Sequence, residues 1–229
     1  INAINDAPVL TTSGGFLTNP SGSNFTARDS FTAIDEDNTT SAGNTVSTFL
    51  NAAAATDVEL GNAAGVAITF ADNTNGQWQF STDGTAFGTL NPAADESTSV
   101  LLDGANSNHK VRFVPNANFN GTATIKYRAW DRTDGVTPGL TANTTVTGNA
   151  TAFSTGEVTK TITVNAINDA PTVTLGSAPA VNEDAGAQTV GTVLSPFATR
   201  DEGGGSDENS QTLTTTVTNN NNSLFSVQP

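Results

Sequence analysis

Oxygen-bearing side chains are concentrated in a heptapeptide that occurs twice in the chain. Residues 2–8 and residues 165–171 both read Asn-Ala-Ile-Asn-Asp-Ala-Pro, which makes an internal repeat about as long as one domain. Carboxylate and amide oxygens can bind a hard cation such as Ca²⁺, and proline restricts the backbone that presents them. The heptapeptide therefore predicts either a calcium-bound joint between two domains or a polar turn at a domain boundary.

Three further acidic clusters favour the calcium interpretation. They lie at residues 35–38, 56–59 and 131–135, and each contains two or more Asp or Glu residues. Because Ca²⁺ takes about six to eight oxygen ligands, several turns must converge on one site. The turns of a β-sandwich gather at its two ends, which brings such clusters together. Each cluster taken singly is typical of a solvated turn, and no EF-hand loop is present.

The charge balance restricts the partners of the chain. Its 229 residues contain 8 Lys and Arg against 22 Asp and Glu, for a formal net charge of −14. This balance argues against nucleic acid, whose phosphates require a basic surface, and it disfavours anionic membranes. A compact fold with so much like charge repels itself unless cations lie among the carboxylates. The chain also has no Cys, so bound metal is the expected substitute for disulfides in holding domains together.

Positioning the acidic turns requires strands, and much of the chain has a hydrophobic period of two. Within residues 122–130, the apolar or aromatic positions Ala123, Ile125, Tyr127 and Ala129 alternate with polar ones, which predicts a half-buried strand. Further strands are predicted at residues 66–70, 78–81, 99–102, 111–114 and 158–164. Short strands separated by Gly, Asn, Asp and Pro turns predict an all-β chain of tandem antiparallel β-sandwiches.

Several local features are also predicted. The Ala-rich residues 47–55 predict one short helix. An Asp-Gly turn at residues 83–84 predicts a tight hairpin. We expect Trp78 in the core, Trp130 half exposed, and a flexible loop at the Gly-rich residues 203–207.

The repeat divides the chain into two domains. The predicted order is a linker at residues 1–6, a sandwich at 7–164, a calcium linker at 165–170 and the first part of a second sandwich at 171–229. A surface insertion is predicted near residues 11–28 of the first sandwich. Because the chain starts in mid-motif at Ile1-Asn2 and stops in mid-domain at Pro229, we expect it to be an excised fragment. The absence of a signal peptide or membrane span then carries no information.

The enzyme hypothesis finds little support in the sequence. His109 is the only histidine, and it lies in a predicted polar turn, so we expect an exposed side chain without a catalytic role. Two carboxylates can cleave a glycosidic bond, but the carboxylates here cluster at turns, and no aromatic platform is evident beyond Trp78 and Trp130. The sequence therefore predicts that the chain is not an enzyme.

Taken together, the motifs resemble those of a known family. Asn-x-x-Asn-Asp-Ala-Pro resembles the interdomain calcium linker of cadherins. Residues 36–38 are similar to the early Glu motif of that family, residues 57–59 to its Asp-x-Asp motif, and residues 127–135 to its Ala-x-Asp segment. Residues 78–84 and 111–121 resemble the bacterial cadherin-like and Ig-like tandem repeats that form the extension regions of giant type I-secreted RTX adhesins.

The resemblance implies two groups of calcium ligands. At the internal junction, the implied ligands are Glu36, Asn165, Asn168, Asp169 and Asp201. At the outer end, they are Asn5, Asp6, Asp57, Glu59 and Asp131. The segment at residues 101–104 keeps only the Leu-Asp of the cadherin Leu-Asp-Arg-Glu motif. In the second domain, residues 201–203 read Asp-Glu-Gly, which also lacks the second acid at the expected place. The internal junction is therefore expected to hold fewer ions than a cadherin junction.

The main functional hypothesis is a calcium-stiffened spacer at the surface of a Gram-negative bacterium, where it takes part in cell adhesion and biofilm formation. Its expected partners are neighbouring repeats of the same chain, with a cell-surface or glycan ligand bound through other domains, and it neither binds nucleic acid nor inserts in the membrane. The alternative is that the fragment itself binds a carbohydrate, a peptide or ice. That alternative depends on Phe16 and Phe25 of the insertion and on the outward Thr159, Thr161 and Thr163.

Overall fold

Short strands make up nearly all the regular structure, so the all-β class predicted from the sequence is confirmed. The computed structural model describes residues 4–10, 31–50, 55–56, 65–175, 182, 184, 198–214, 216 and 218. Their strands are β1 (Val9–Leu10), β2 (Ile34–Asp35), β3 (Asn44–Thr45), β4 (Ala55–Thr56), β5 (Gly65–Ala71), β6 (Gly76–Ser81), β7 (Gly88–Thr89), β8 (Ser99–Asp103), β9 (Lys110–Pro115), β10 (Gly121–Trp130), β11 (Thr141–Ala142), β12 (Val158–Asn165), β13 (Thr172–Leu175) and β14 (Ala198–Asp201). The chain forms two units, Ile1–Ile167 and Asn168–Pro229.

The described residues of the first unit form three sheets. A six-stranded sheet has the order β11-β8-β5-β10-β12-β2, a four-stranded sheet has the order β3-β9-β6-β7, and β1 pairs with β4. The pairs within these sheets are antiparallel except for β12 and β2, which run in the same direction. Because parallel strands end at the same edge of a sheet, the residue that follows β2 lies beside the end of β12. This pairing brings Glu36 to the start of the second heptapeptide.

The main core of the first unit draws side chains from both large sheets. On β10, the predicted inward residues Ala123, Ile125, Tyr127 and Ala129 are all buried. They form one hydrophobic cluster that also contains Trp78 and Phe113 of the four-stranded sheet. The rings of these two aromatic residues lie 5.3 Å apart in a tilted arrangement, which is favourable for aromatic pairs. The predicted core position of Trp78 is therefore confirmed.

The expectation that Trp130 is half exposed was wrong, because a loop covers the outer face of the six-stranded sheet. Trp130 is fully buried and belongs to a second cluster, which contains Ala67, Leu101, Trp130, Ala152 and Phe153. The chain after β10 returns to this face, where Phe153 bridges to Trp130. A side chain at Gly65 would lie within 2.8 Å of the Trp130 ring, so glycine is needed for the close packing there.

Two local predictions also require correction. The helix is only one turn long, at Val46–Phe49, and Ala55, predicted to be helical, lies in β4 instead. The hairpin after β6 has a longer loop than the predicted Asp-Gly turn, because Phe80 pairs with Gly88. Within that loop the Asp83 carboxylate accepts backbone hydrogen bonds from Thr85 and Ala86, which lower the pKa of Asp83 to about 2. The predicted insertion at residues 11–28 lies outside the described residues.

The second unit is described over a shorter stretch of chain. Its β13 and β14 pair in antiparallel fashion, with Thr172 opposite Asp201. A short 3₁₀ helix, Glu208–Ser210, follows. Val173 and Leu175 of β13 are exposed to 55% and 74%. The described regular structure of this unit is therefore one antiparallel strand pair and this short helix.

We expect Trp130→Ala to lower the free energy of unfolding by about 3–5 kcal/mol, because it leaves a cavity between the sheet and its covering loop. Val146, which is 70% exposed, offers a control. Val146→Ala should change the same free energy by no more than about 0.5 kcal/mol. Urea denaturation followed by circular dichroism measures both, and equal effects of the two substitutions would contradict the described burial of Trp130.

Candidate metal centres

The first candidate centre is built around Asp131, which directly follows β10 and is 1% exposed. Its Oδ1 accepts hydrogen bonds from the backbone N–H and the hydroxyl of Thr133, at 2.8 and 2.7 Å. Its Oδ2 accepts a 3.0 Å hydrogen bond from the Asn5 side chain. Asn5 also donates to the carbonyl of Thr151, at 3.2 Å. The structure therefore brings together Asn5 and Asp131, two of the ligands implied for the outer end.

Of the other ligands implied for the outer end, the structure describes Asp6 but not Asp57 or Glu59. Asp6 directly follows Asn5 and is exposed. Asp57 and Glu59 lie outside the described residues, although the preceding Thr56 pairs with Val9 directly after the first heptapeptide.

Arg132 fixes the turn that follows Asp131. Its backbone has a φ of 69°, a conformation that side-chain-bearing residues rarely adopt. Its guanidinium pairs with Asp103 at 2.9 Å. The sequence indicated that residues 101–104 lack a metal-ligating acid, and in the structure their one acid is paired with this arginine.

The second candidate centre is built around Glu36, which follows β2 and is 5% exposed. Its backbone N–H donates to the carbonyl of Asn165 at 2.9 Å. Its Oε1 accepts a 2.6 Å hydrogen bond from the backbone N–H of Ile167, and its Oε2 accepts one of 3.2 Å from the Asn120 side chain. Glu36 is therefore hydrogen-bonded along the start of the second heptapeptide, and Asn165 is its direct neighbour.

The two centres lie at opposite ends of the same strand. Asp131 follows the last residue of β10, whereas Gly121 at the other end pairs with Val164, the residue before Asn165. A strand of ten residues is about 30 Å long, so the two centres are far apart.

The remaining implied ligands belong to the second unit. The backbone N–H of Asp169 donates to Glu208 Oε1 at 3.1 Å, and the Asn168 side chain accepts a 3.0 Å hydrogen bond from Gln211. Asp201 accepts a 3.0 Å hydrogen bond from the N–H of Gly203. A side chain at Gly203 would lie 2.8 Å from Cβ of Asp169, so the two segments pack closely. The structure thus places Asn168, Asp169 and Asp201 in one neighbourhood.

Sequence reasoning missed Glu208, which is 1% exposed. It directly follows the Gly-rich residues 203–207, for which a flexible loop was predicted, and two of their glycines have positive φ. The only sequence signal was the adjacent acid, Asp207, in a unit that is poor in basic residues.

The chemistry of these residues fits a hard cation. Asp131 and Glu36 are buried carboxylates whose hydrogen-bond donors are neutral groups. The ion pairs among the described residues join Lys126 to Glu157, Arg128 to Glu96 and Arg132 to Asp103, so none of them includes Asp131 or Glu36. No three His, Asp or Glu side chains in the described part of the chain already form a metal-binding group. A bound ion would need carbonyl, amide or water oxygens in addition to these carboxylates.

His109 is buried, contrary to the expectation of an exposed histidine. It is 5% exposed, and its Nδ1 accepts a 2.8 Å hydrogen bond from the backbone N–H of Asp103. Burial lowers the pKa of His109, nearby Asp103 opposes this shift, and Arg132 adds to it. The side chain is therefore an acceptor that holds the turn between β8 and β9.

Comparisons of the chain with protein-family models, with curated proteins and with solved structures gave no significant match in any of the three. Among the described residues, no helix has the length and apolar character required to cross a membrane.

We expect Glu36→Ala to lower the free energy of unfolding by about 1–3 kcal/mol in chelator, because it removes the acceptor of the Ile167 N–H and one hydrogen bond of the Asn120 side chain. Glu36→Gln, which keeps an oxygen acceptor, should cost clearly less under the same conditions. Urea denaturation compares the two variants, and an equal cost would show that the hydrogen bonds to Glu36 do not stabilise the unit.

We expect protonation of His109 to destabilise the fold, because its pKa is lower in the folded chain than in the unfolded one. The neutral His109 side chain contributes its full share to folding stability above about pH 6.5, the pKa of histidine in the unfolded chain. This contribution is lost as the pH falls below that value. The loss of stability between about pH 7 and pH 5.5 should be smaller in His109→Asn, whose side chain keeps an acceptor without titrating in this range. Urea denaturation at the two pH values measures the free energy of unfolding of each protein. An equal loss of this free energy in the wild-type chain and in His109→Asn would refute the prediction.

Proposed function

We propose that the chain is a calcium-stiffened extender from an adhesin on the surface of a Gram-negative bacterium. In this role it projects a distal binding module away from the cell and performs no catalysis. The observation that carries the proposal is that both copies of the heptapeptide are hydrogen-bonded to a buried carboxylate of the first unit. Asn5 donates to Asp131, and Ile167 donates to Glu36.

The position of these carboxylates suits a spacer. They lie at opposite ends of β10, where the chain enters and leaves the first unit. Cations held at both places would tie each linker segment to the rigid strand between them. This arrangement is consistent with the finer fold proposed here, a cadherin-like or Ig-like β-sandwich formed by the six-stranded and four-stranded sheets.

Charge explains why a cation is needed. Two carboxylates at ~5 Å repel each other by about 1–3 kcal/mol, depending on the effective dielectric constant. The chain has a net charge of −14, and the sequence places several of its acids at the heptapeptides. Calcium offsets this repulsion and replaces it with bonds that orient the backbone.

The proposed ligands divide by unit. In the first unit they are Asn5, Asp6, Glu36, Asp131 and Asn165, with Asp57 and Glu59 added from the sequence alone. In the second unit they are Asn168, Asp169 and Asp201. When bound, calcium supplies charge compensation and a flexible set of oxygen bonds. The adhesin assignment itself rests on the sequence resemblance of the linkers and of residues 78–84 and 111–121.

A second candidate function is direct ligand binding by the outer face of β12. Thr159, Thr161 and Thr163 are exposed there, and the last two pair with Thr124 and Thr122 of β10. This regular hydroxyl surface favours the binding of a glycan or ice. Outward threonines also stabilise a sheet by cross-strand contacts alone, so the extender function has the stronger support.

We expect calcium removal to broaden the distance distribution of the chain in small-angle X-ray scattering while its far-UV circular dichroism is retained. The reason is that the linker segments lose their oxygen–calcium bonds, whereas the hydrophobic cores of the sheets stay packed.

Asp169→Ala should reduce calcium binding in titration calorimetry, whereas Asp72→Ala, a change in an exposed turn of the first unit, should not. An unchanged maximum dimension in chelator would refute the extender function.

A further inference from the structure

Glu208 of the second unit has a carboxylate oxygen without a protein partner. Oε1 accepts a hydrogen bond from the Asp169 backbone, but Oε2 is buried, and no donor among the described residues reaches it. The whole side chain is 1% exposed. An ionised carboxylate is rarely buried in this way, because the lost hydration is not replaced. The free oxygen therefore needs a proton or a cation.

The surroundings of Glu208 are acidic. The carboxylate of the neighbouring Asp207 interacts with the Glu208 side chain. In the sequence from residue 168 onward, Arg200 is the only basic residue against seven Asp and Glu, and its side chain is exposed on β14. One guanidinium cannot balance that charge. Two adjacent carboxylates that both remain ionised are stabilised by a cation placed between them.

The second unit also limits the kind of cation. From residue 168 onward the sequence contains neither His nor Cys, so nitrogen and sulfur ligands are absent from its side chains apart from weakly ligating amides. Carboxylate and amide oxygens favour hard cations such as Ca²⁺ over Zn²⁺ or Cu²⁺. Asn168 and Gln211 place further amide groups beside the same segment, where they are hydrogen-bonded to each other at 3.0 Å.

We propose that Glu208 and Asp207 form a divalent cation site within the second unit, with Glu208 Oε2 as its buried ligand and the Asn168–Asp169 segment held against it. The site depends on the function proposed above only for the choice of calcium as the cation. It differs from the ligand set that the sequence resemblance implied, which contains neither Asp207 nor Glu208. Glu208 thereby links the ion directly to the linker backbone through its hydrogen bond to Asp169.

Titration calorimetry with calcium tests the site in the full chain. Glu208→Gln removes the charge but keeps the size of the side chain, and we expect it to remove one bound calcium or to weaken one site at least tenfold. Glu202→Gln is the matched control, because it makes the same change at a partly exposed position of the same unit. It should leave the isotherm unchanged.

Thermal unfolding in chelator and in calcium shows whether the variants fold. In chelator, the melting temperature of Glu208→Gln should lie within a few degrees of that of the wild-type chain. Added calcium should raise the melting temperature of Glu208→Gln by less than it raises that of the wild-type chain. If Glu208→Gln does not fold, Asp207→Asn tests the same site from a partly exposed position. A wild-type isotherm in whichever of these variants folds would overturn the site and indicate that Glu208 is protonated instead.

Scattering separates this proposal from the extender function. If Glu208→Gln loses a calcium but the wild-type chain keeps its dimensions in chelator, the site stands and the extender function fails. If the wild-type chain changes its dimensions but Glu208→Gln binds calcium normally, the extender function stands and the site fails.

Discussion

Burying a carboxylate requires partners for its charge, and in the part of the chain that the structure describes three carboxylates are buried beside the repeated segments. Glu36 and Asp131 have neutral hydrogen-bond donors, and one oxygen of Glu208 has none among the described residues. Neutral donors replace part of the lost hydration but leave the charge uncompensated. Because all three side chains are hydrogen-bonded to residues of the heptapeptides, the cost of burying their charge is concentrated at these repeated segments.

The two heptapeptides are identical in sequence but differ in their contacts. Asn5 donates to Asp131, whereas its equivalent Asn168 accepts from Gln211. The N–H of Asp169 binds a carboxylate, Glu208. The two copies therefore carry the same polar groups, and the residues around each copy determine which hydrogen bonds those groups form. A repeat can keep its sequence while the sites around it differ.

The period-two alternation of apolar and polar residues predicted the inner face of β10 well. Such alternation indicates that one face of a strand is covered and the other is exposed. Ile125 and Tyr127 are buried as predicted. Trp130 was wrongly predicted because the cover over its face comes from an irregular loop that has no period to detect. His109 was wrongly predicted for a similar reason, since its polar neighbours gave no sign that its ring accepts a buried hydrogen bond.

The candidate sites were predicted in part. The resemblance to cadherin linkers identified Glu36 and Asp131, because their motifs have a recognisable order along the chain. It missed Glu208, since burial of an acid next to a Gly-rich segment depends on packing rather than on composition. The parallel pairing of β2 with β12 could not be predicted either, because two-residue strands carry no pattern of their own.

That parallel pairing has a mechanical consequence. A force can pull β2 toward its amino end and β12 toward its carboxyl end at the same time. The strands are then sheared past one another, and their hydrogen bonds bear load together instead of opening one after another. The bond from Ile167 to Glu36 extends this shear contact beyond the last paired residues, Asn165 and Asp35. The buried Glu36 side chain thus adds a hydrogen bond that resists this shearing force at the point where the chain leaves the sheet.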